Sequence, residues 1–288
     1  MIQARNKLSQ EELSEAKKLI NCCQAYDETY RDPYLSNMLN FDTNMPAFFL
    51  YYEKGELVGL LTVYADDPDV EVAILVHPNH RCQGIARALY RSFEKETASY
   101  PIESVTFQTE RIFLERHPDF ASNWGLVEDE ETETWLGKDR KPYPLANISN
   151  LEVLLADRSY QDQISQLKFQ AFPEEHESRE VVDRYVAKAL KDPESLLYIL
   201  LKNGQVIGTC TVDLSSNTNY LFGLAIAELE RGKGYGTYLA KSLINQLIEQ
   251  NDKAFQIAVE DSNLGAKRLY EKIGFVKQTQ VVYLKPKV

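Results

Sequence analysis

The sequence is poor in cysteine, has fewer basic than acidic residues, and lacks long apolar runs. Its four cysteines show neither metal-ligand spacing nor a disulfide framework, which favours a reducing compartment such as the cytoplasm. No window approaches the roughly 20 apolar residues of a membrane-spanning helix, and the polar opening segment 1–16 does not have the pattern of a signal peptide. A formal net charge of −11 argues against nucleic-acid binding, which needs clustered cations.

The composition that remains is typical of a globular protein. At 288 residues, 44% of them hydrophobic, the chain can form two domains that each bury a core. His77 and His80 lie in the turn before the first glycine loop, and His117 and His176 are isolated, so no pair forms a helix-spaced metal site and a metal is not expected. The acidic excess is concentrated in segments 66–71 and 128–133. Solubility explains it most simply, and attraction of a cationic substrate is the alternative.

The chain repeats itself with a nearly constant separation of about 150 residues. Three pairs of segments resemble each other in the same order: 53–59 and 202–208, 81–86 and 231–236, 124–126 and 273–275. A polar stretch at 137–150, with Pro142 and Pro144, has the composition of a linker. We therefore expect a tandem duplication with domains at 1–140 and 150–288.

Each half shows a similar order of elements. Amphipathic helices are predicted at 11–24 in the first half, and at 160–172 and 179–190 in the second. Hairpins at 47–64 and 196–214 follow, each with a two-residue polar turn that ends in glycine. A third strand, at 70–76 or 220–226, precedes a glycine-rich turn and a long helix, and a strand, a helix and a strand close each half. This order predicts an α/β fold with a mixed sheet.

The glycine-rich segment 231–237 follows a buried strand and opens a helix. Backbone N–H groups of such a loop, with the free donors of the helix start, favour a bound anion. Glycine permits close approach of a phosphate, and Arg231 and Lys233 add positive charge. The segment lacks both the P-loop pattern and the dinucleotide fingerprint. A turn that serves only the fold is the alternative, and the repetition of the whole strand–loop–helix pattern argues against it.

This segment strongly resembles the pyrophosphate-binding motif [Gln/Arg]-x-x-Gly-x-[Gly/Ala] of the GNAT superfamily of N-acetyltransferases. The motif residues are Arg231, Gly234 and Gly236 in the second half, and Arg81, Gly84 and Ala86 in the first. Segment 259–275 is similar to the family's next strand, helix and closing Gly-Phe. The resemblance implies two tandem GNAT-like domains, each a mixed, mostly antiparallel sheet with splayed central strands flanked by helices.

The resemblance also implies acetyl-coenzyme A (acetyl-CoA) as co-substrate and no metal. The pantetheine arm would pair with the strand backbone at 224–226, and the pyrophosphate would lie on the glycine loop. The cofactor-binding residues implied in the second half are Leu224, Ala225, Ile226, Arg231, Gly232, Lys233, Gly234, Tyr235, Gly236, Thr237 and Asn263. In the first half they are Arg81, Gly84 and Ala86, and Cys82 replaces a loop glycine there.

The two halves are unequally equipped for catalysis. By resemblance, Tyr270 would protonate the leaving thiolate, although packing on the sheet would also explain a tyrosine there. The repeat places Leu114 at the position of Asn263 and Ala121 at that of Tyr270, and Pro118 interrupts the first-half helix. The first domain is therefore expected to be catalytically degenerate and the second to be catalytic.

The general base is less well defined than the proton donor. Glu260, at the end of a second-half strand, is the leading candidate, and a solvated surface group is the plain alternative. Glu71 lies on the first-half strand before the glycine loop, where relatives often place a base, so a first-half activity stays open. Asp213 could hold a cationic acceptor. The charged segment 174–179 is expected on the acceptor side, or else forms a solvated helix face.

Together these features predict an N-acetyltransferase that transfers an acetyl group from acetyl-CoA to a primary amine by direct attack in a ternary complex. A non-catalytic coenzyme A-binding sensor or scaffold is the alternative. The expected partner is a small-molecule amine, with neither nucleic acid nor membrane. A cytoplasmic monomer with pseudo-dimeric halves, or a homodimer, would be consistent with the duplication.

Overall fold

The computed structural model describes residues 1–146, 148–173 and 178–287. The chain forms two compact units. Unit 1 comprises Met1–Trp135 and the chain from Gln278 onward, and unit 2 comprises Leu136–Lys277. This division differs from two contiguous domains at 1–140 and 150–288, because the last strand of the chain belongs to unit 1. That strand, β12 (Val276–Pro286), pairs antiparallel with strand β5 (Ser104–Glu110) from Val281 opposite Glu110 to Leu284 opposite Phe107.

The order of elements follows the repeat. Besides β5 and most of β12, unit 1 contains β1 (Ile2–Arg5), α1 (Gln10–Asp27), β2 (Phe48–Glu53), β3 (Glu56–Tyr64), β4 (Asp69–Val76), α2 (Ile85–Thr97), α3 (Arg111–Arg116), α4 (Phe120–Trp124) and most of β6 (Leu126–Lys138). Unit 2 contains β7 (Leu151–Leu155), α5 (Gln161–Ala171), α6 (Arg179–Ala189), β8 (Ser195–Lys202), β9 (Gln205–Asp213), β10 (Asn219–Ile226), α7 (Tyr235–Gln250), β11 (Phe255–Glu260) and α8 (Leu264–Lys272). The predicted helices and hairpins are confirmed to within a few residues.

Each unit contains a mixed, mostly antiparallel sheet, as the resemblance implied. In unit 1 the strand order is β1-β2-β3-β4-β5-β12-β6, and in unit 2 it is β11-β10-β9-β8-β7. The pairs β4–β5 and β10–β11 are parallel. The pairs β1–β2, β2–β3, β3–β4, β7–β8, β8–β9 and β9–β10 are antiparallel. In each unit the two parallel strands flank the glycine loop and its helix in sequence, one before the loop and one after the helix.

Hydrophobic periodicity explains how the long helices pack. In α2 the buried residues include Ile85, Leu89 and Phe93, four residues apart, so one face of the helix lies on the sheet. In α7 Leu239, Leu243 and Leu247 repeat the same spacing. Each fully buried side chain of this size contributes about 1.5–3 kcal/mol relative to exposure. The helix that follows each glycine loop is therefore held firmly against its sheet.

The interruption predicted at Pro118 is confirmed. Helix α3 ends at Arg116, and α4 begins only at Phe120, because proline cannot donate a helical hydrogen bond and its ring clashes with the preceding turn. The corresponding helix of unit 2, α8, is a continuous helix of nine residues. The two units therefore differ most in the element that follows the second parallel strand.

Candidate active site

The parallel strands of each unit are paired for only part of their length. In unit 1, Asp69–Val72 pair with Ser104–Phe107, and the rest of β4 and β5 continues beyond this register. In unit 2, Asn219–Leu221 pair with Phe255–Ile257. The pairing of β10 with β9 shifts between Phe222 and Ala225, where Gly223 has a φ of +57°. The carboxyl ends of the parallel strands are thus separated next to each glycine loop, as expected for splayed strands.

Each glycine loop leaves the first donors of its helix available. Gly84 is the N-cap of α2 with a φ of +83°, and Gly234 is the N-cap of α7 with a φ of +85°. Neither N-cap supplies a side-chain acceptor, so the N–H groups of the first turn have no partner from the cap. Apart from the chain neighbours, no atom of the described residues lies within 4 Å of a Cβ built at either glycine. Both helix starts therefore border open space, as an anion-binding loop requires.

The loop arginines of the two units are used differently. Arg81 donates two hydrogen bonds to the buried carboxylate of Asp27, at 2.7 and 2.6 Å, and a third to the Val76 carbonyl at 3.0 Å. Its guanidinium also lies over the Tyr26 ring, at 5.3 Å. The Asp27 carboxylate raises the pKa of Arg81 and neutralises its charge. Arg81 therefore ties α1 to the loop of unit 1 and is engaged by protein groups.

In unit 2, Arg231 makes the equivalent bond from Nε to the Ile226 carbonyl, at 3.0 Å. Among the described residues no acidic side chain pairs with its guanidinium. Lys233 lies near Glu230, at 3.1 Å, and Lys202 also pairs with Glu230, at 2.9 Å. Arg231 is thus the loop cation with the fewest protein partners.

The remaining predicted cofactor-binding residues of unit 2 converge at the start of α7. A Cβ on Gly236 would lie 3.0 Å from Leu269 of α8, 3.6 Å from Ile226 and 3.7 Å from Leu224. Glycine at this position therefore lets α7 approach α8 closely at Leu269, whereas the distances to β10 are ordinary contacts. Ala225 is buried in β10, and Tyr235 and Thr237 lie in the first turn of α7. Gly232 has a left-handed φ of +74° in the loop. In unit 1, the predicted residue Ala86 lies in the first turn of α2.

Cys82 occupies the place of Gly232 in the unit 1 loop. Its φ of +60° is left-handed, so the loop keeps its path although the residue is not glycine. The thiol is exposed. The substitution of glycine by cysteine therefore changes the side chain at this position without changing the backbone conformation.

A cavity of about 720 Å³ lies in unit 1, where the parallel strands separate. Its walls include β4 from Val72 to Val76, β5 from Phe107 to Glu110, and the glycine loop with the start of α2. The break around Pro118 also lines it. The cavity thus adjoins both the splayed strands and the anion-binding donors of unit 1.

Glu110 lines this cavity, and a second carboxyl group, that of Glu71, lies behind the lining residue Gln108. Glu71, one position before the last parallel pair, accepts a hydrogen bond from Nε2 of Gln108, which lines the cavity. Burial raises the pKa of Glu71 to about 7. Glu110 is buried, and burial raises its pKa although it accepts backbone hydrogen bonds from Tyr30 and Arg31. The sequence already marks Glu71 as a possible base. Glu110 and Arg31 have no motif, and their closeness is visible only in the structure, where the chain after α1 contacts the end of β5.

The predicted catalytic residues of unit 2 occupy two environments. Tyr270 lies in the core, 6% exposed, with its ring 6.1 Å from that of Phe275, and burial raises its pKa above the ordinary value. Glu260 is exposed at the end of β11 and accepts a hydrogen bond from Ser262 at 3.2 Å. Asn263 caps α8, because its Oδ1 accepts a bond from the Ala266 N–H at 3.1 Å.

Asp213 has a local structural contact. Its carboxylate accepts hydrogen bonds from the Ser215 N–H at 3.1 Å and the Ser215 hydroxyl at 2.9 Å, and burial raises its pKa to about 6. These bonds hold the turn after β9. Of the charged segment expected on the acceptor side, Glu174, Glu175 and Glu177 lie outside the described residues.

Comparison with known proteins identifies the family. The model of the acetyltransferase (GNAT) family matches residues 13–136 and again residues 161–275. The chain belongs to this family. The two matches also confirm the tandem duplication, and the paired arrangement of splayed strands, glycine loop and helix occurs within each matched region.

Individual relatives are distant in sequence. The chain is 23% identical over 227 residues to a mycothiol acetyltransferase of Clavibacter sepedonicus, covering 76% of this chain and 73% of that protein. A GCN5-related N-acetyltransferase of Sphaerobacter thermophilus superposes with a TM-score of 0.70 at 17% identity, covering 100% of this chain and 96% of that one. A tandem GNAT protein of the clavulanic acid biosynthesis pathway gives 0.70 at 15% identity, covering 99% and 97%. The structural likenesses establish the tandem GNAT fold.

The described residues contain neither a group of side chains suited to a metal ion nor a helix suited to span a membrane. Within 1–146, 148–173 and 178–287, no three His, Cys, Asp or Glu side chains are grouped as they would be to hold a metal ion. No helix in the same ranges combines the length and apolar character required to span a membrane.

Proposed function

We propose that this protein is an acetyl-CoA-dependent N-acetyltransferase that acts on a primary amine. The observation that carries the proposal is the separation of two parallel strands directly beside a helix start with uncapped donors, in both units. The free edges of the splayed strands suit the amide groups of a pantetheine arm, and the helix start suits a pyrophosphate. The four free thiols suit a reducing, cytoplasmic location.

The reaction would need three contributions from the protein. The acceptor ammonium must lose a proton, the developing oxyanion needs donors, and the leaving thiolate needs a proton. The amine nitrogen would then attack the thioester carbonyl directly, with both substrates bound. In unit 2, Tyr270 is the proposed proton donor to the thiolate, and Glu260 is the proposed proton acceptor. Asn263 is proposed to contact the coenzyme from the start of α8.

A second candidate function is coenzyme A binding without transfer. It is favoured by the position of Tyr270, whose side chain is only 6% exposed and packs in the core of unit 2. In unit 1 the equivalent position is Ala121, which has no proton to donate. If both units had lost turnover, the loops would still bind the coenzyme through their backbone donors.

The test is a thiol-release assay with acetyl-CoA and a panel of primary amines, accompanied by calorimetric titration with acetyl-CoA. We expect saturable binding and acceptor-dependent release of free coenzyme A. Binding without release for any amine would favour the non-catalytic candidate. Failure to bind acetyl-CoA at all would refute both functions.

A further inference from the structure

The wall of the unit 1 cavity contains a cation with a buried, unpaired donor. Arg31 lines the cavity, and its guanidinium lies 5.5 Å from the centre of the Trp135 ring. Its Nε is buried and finds no hydrogen-bond partner anywhere in the described ranges. A buried donor without a partner costs free energy, so such a group is well suited to a ligand that supplies an acceptor.

The backbone of Arg31 is fixed by a neighbouring carboxylate. Oε1 of Glu110 accepts hydrogen bonds from the backbone N–H groups of Tyr30 and Arg31, both at 2.9 Å. These bonds join the chain after α1 to the end of β5. Glu110 is thus occupied as a positioning residue, and Arg31 is presented to the cavity from a rigid segment.

Glu71 supplies an opposite charge behind the cavity wall. It lies on β4, beside the point where the strands separate, and accepts a hydrogen bond from Gln108, which lines the cavity. Arg31 acts on both Glu71 and Glu110, because its charge lowers the pKa of each carboxyl group against the effect of burial. A cation in the cavity wall and an ionisable carboxyl group directly behind that wall therefore accompany a cavity that leads to a glycine loop.

We propose that unit 1 contains an acceptor site for an amine that also carries a carboxylate, with Arg31 binding the carboxylate and Glu71, behind Gln108, accepting the proton of the amine through water. An α-amino acid has this chemistry. The planar guanidinium suits a carboxylate because it can donate two parallel hydrogen bonds. An acceptor with a second positive charge in place of the carboxylate is disfavoured, since Arg31 would repel it.

The proposal rests on the proposed function, because the amine is the acceptor of the acetyl group. The ammonium gives one proton to the Glu71 carboxylate through water, and the freed nitrogen lone pair forms the C–N bond. The thioester C–S bond breaks, and the thiolate takes a proton from water. The nitrogen loses its second proton to solvent, which replaces the one taken from water. Glu71 then releases its proton to solvent, so the products are an amide, the free thiol and one released proton.

Arg31→Met tests the site, because methionine keeps an apolar side chain on Trp135 and removes the cation. The exposed Arg91 of α2 lies outside the cavity wall, so Arg91→Met is the matched control. The probes are amino acids and the same amines without the carboxylate, such as tyrosine and tyramine. In wild type we expect the carboxylate-bearing member of each pair to have the lower KM. Arg31→Met should raise that KM about 30-fold or more, as expected for loss of a hydrogen bond to a charged group.

Several outcomes would overturn the inference. Equal KM values for paired probes in wild type would show that no carboxylate is recognised. A loss of acetyl-CoA affinity in Arg31→Met, with unchanged amine preference, would show that Arg31 contacts the donor. If Arg31→Met does not fold, Arg31→Lys replaces it, and an unchanged KM there would contradict recognition by the guanidinium fork.

Failure of the inference is distinguishable from failure of the proposed function. Calorimetry with an amino acid alone measures the site without turnover. Heat of binding in wild type that is lost in Arg31→Met but kept in Arg91→Met would support the site even if no acetyl group is transferred. Normal acetyl-CoA binding and transfer to tyramine, with no preference for tyrosine, would support the function and overturn the inference.

Discussion

The two units share the glycine loop but differ in the other groups that the proposed acetyl transfer would need. Unit 1 has a cavity and a carboxyl group, Glu71, on the strand before the loop, but has Ala121 where a phenol would stand. Unit 2 has the phenol of Tyr270 and the glycine-rich loop, but no carboxylate between Tyr220 and Ala227. A shared motif therefore predicts a shared way to bind an anion, and does not determine which unit transfers the acetyl group.

The largest expected effects come from placing a carboxylate on each glycine loop. Gly84→Glu and Gly234→Glu combine a left-handed backbone with negative charge at the proposed pyrophosphate site, so each should abolish acetyl-CoA binding in its own unit. Calorimetric titration should count two sites in wild type and one in each variant.

The controls for this experiment are Gly55→Glu and Gly204→Glu. These hairpin glycines also have positive φ values, +89° and +79°, and also face open space, so strain and charge are matched away from the loops. Both controls should retain two sites. If Gly84→Glu leaves the number of acetyl-CoA sites unchanged, unit 1 does not bind the coenzyme through its loop. Unit 1 would then be degenerate, as Ala121 in place of a tyrosine suggests.

Local patterns in the sequence were sufficient to predict most of the fold. The glycine loops located the starts of α2 and α7. The polar turns at Lys54-Gly55 and Asn203-Gly204 located the hairpins, and the structure gives all four residues the positive φ values of such turns. The destination of β12 was not predictable, since pairing with β5 depends on contacts between segments far apart in sequence.

The candidate site was predicted less completely than the fold, for a similar reason. The loop residues are contiguous, so Gly84 and Gly234 could be matched to the family motif. Arg31 precedes β5 by more than 70 residues and has no motif, and only the bonds to Glu110 bring it to the cavity. The engagement of Arg81 by Asp27 was likewise missed, because a motif arginine gives no sign of its partner.

Glu71→Gln sharpens the comparison by removing the proposed proton acceptor of unit 1. The measurement uses the Gly234→Glu background, so that only unit 1 binds the donor. Turnover should fall about 100-fold or more, in the usual range for a general base. A glutamine keeps a partner for Gln108, so folding and acetyl-CoA affinity should change little.

The pH profile gives an independent reading of Glu71. Burial and the charges of Glu133, Asp66 and Asp67 raise the pKa of Glu71, whereas the charge of Arg31 lowers it. The pKa of Glu71 is therefore raised to about 7. The residue accepts a proton only when ionised, so turnover at unit 1 should rise with pH through about 7 and then level off. Glu71→Gln should lose this rise. An unchanged profile would exclude Glu71 as the base.

Tyr270→Phe tests unit 2 and should have the smallest effect. It is measured in the Gly84→Glu background, with Tyr198→Phe as control, because Tyr198 is another fully buried phenol of the same core. Burial raises the pKa of Tyr270, so the hydroxyl carries its proton at neutral pH and could donate it. A thiolate leaves readily even without a proton, so we expect only about a tenfold loss of turnover, below the usual range for acid catalysis, with acetyl-CoA affinity unchanged. If Tyr270→Phe and Tyr198→Phe both lower only the melting temperature, Tyr270 is a core residue without a role in catalysis. Unit 1 would then be the better candidate for the unit that transfers the acetyl group.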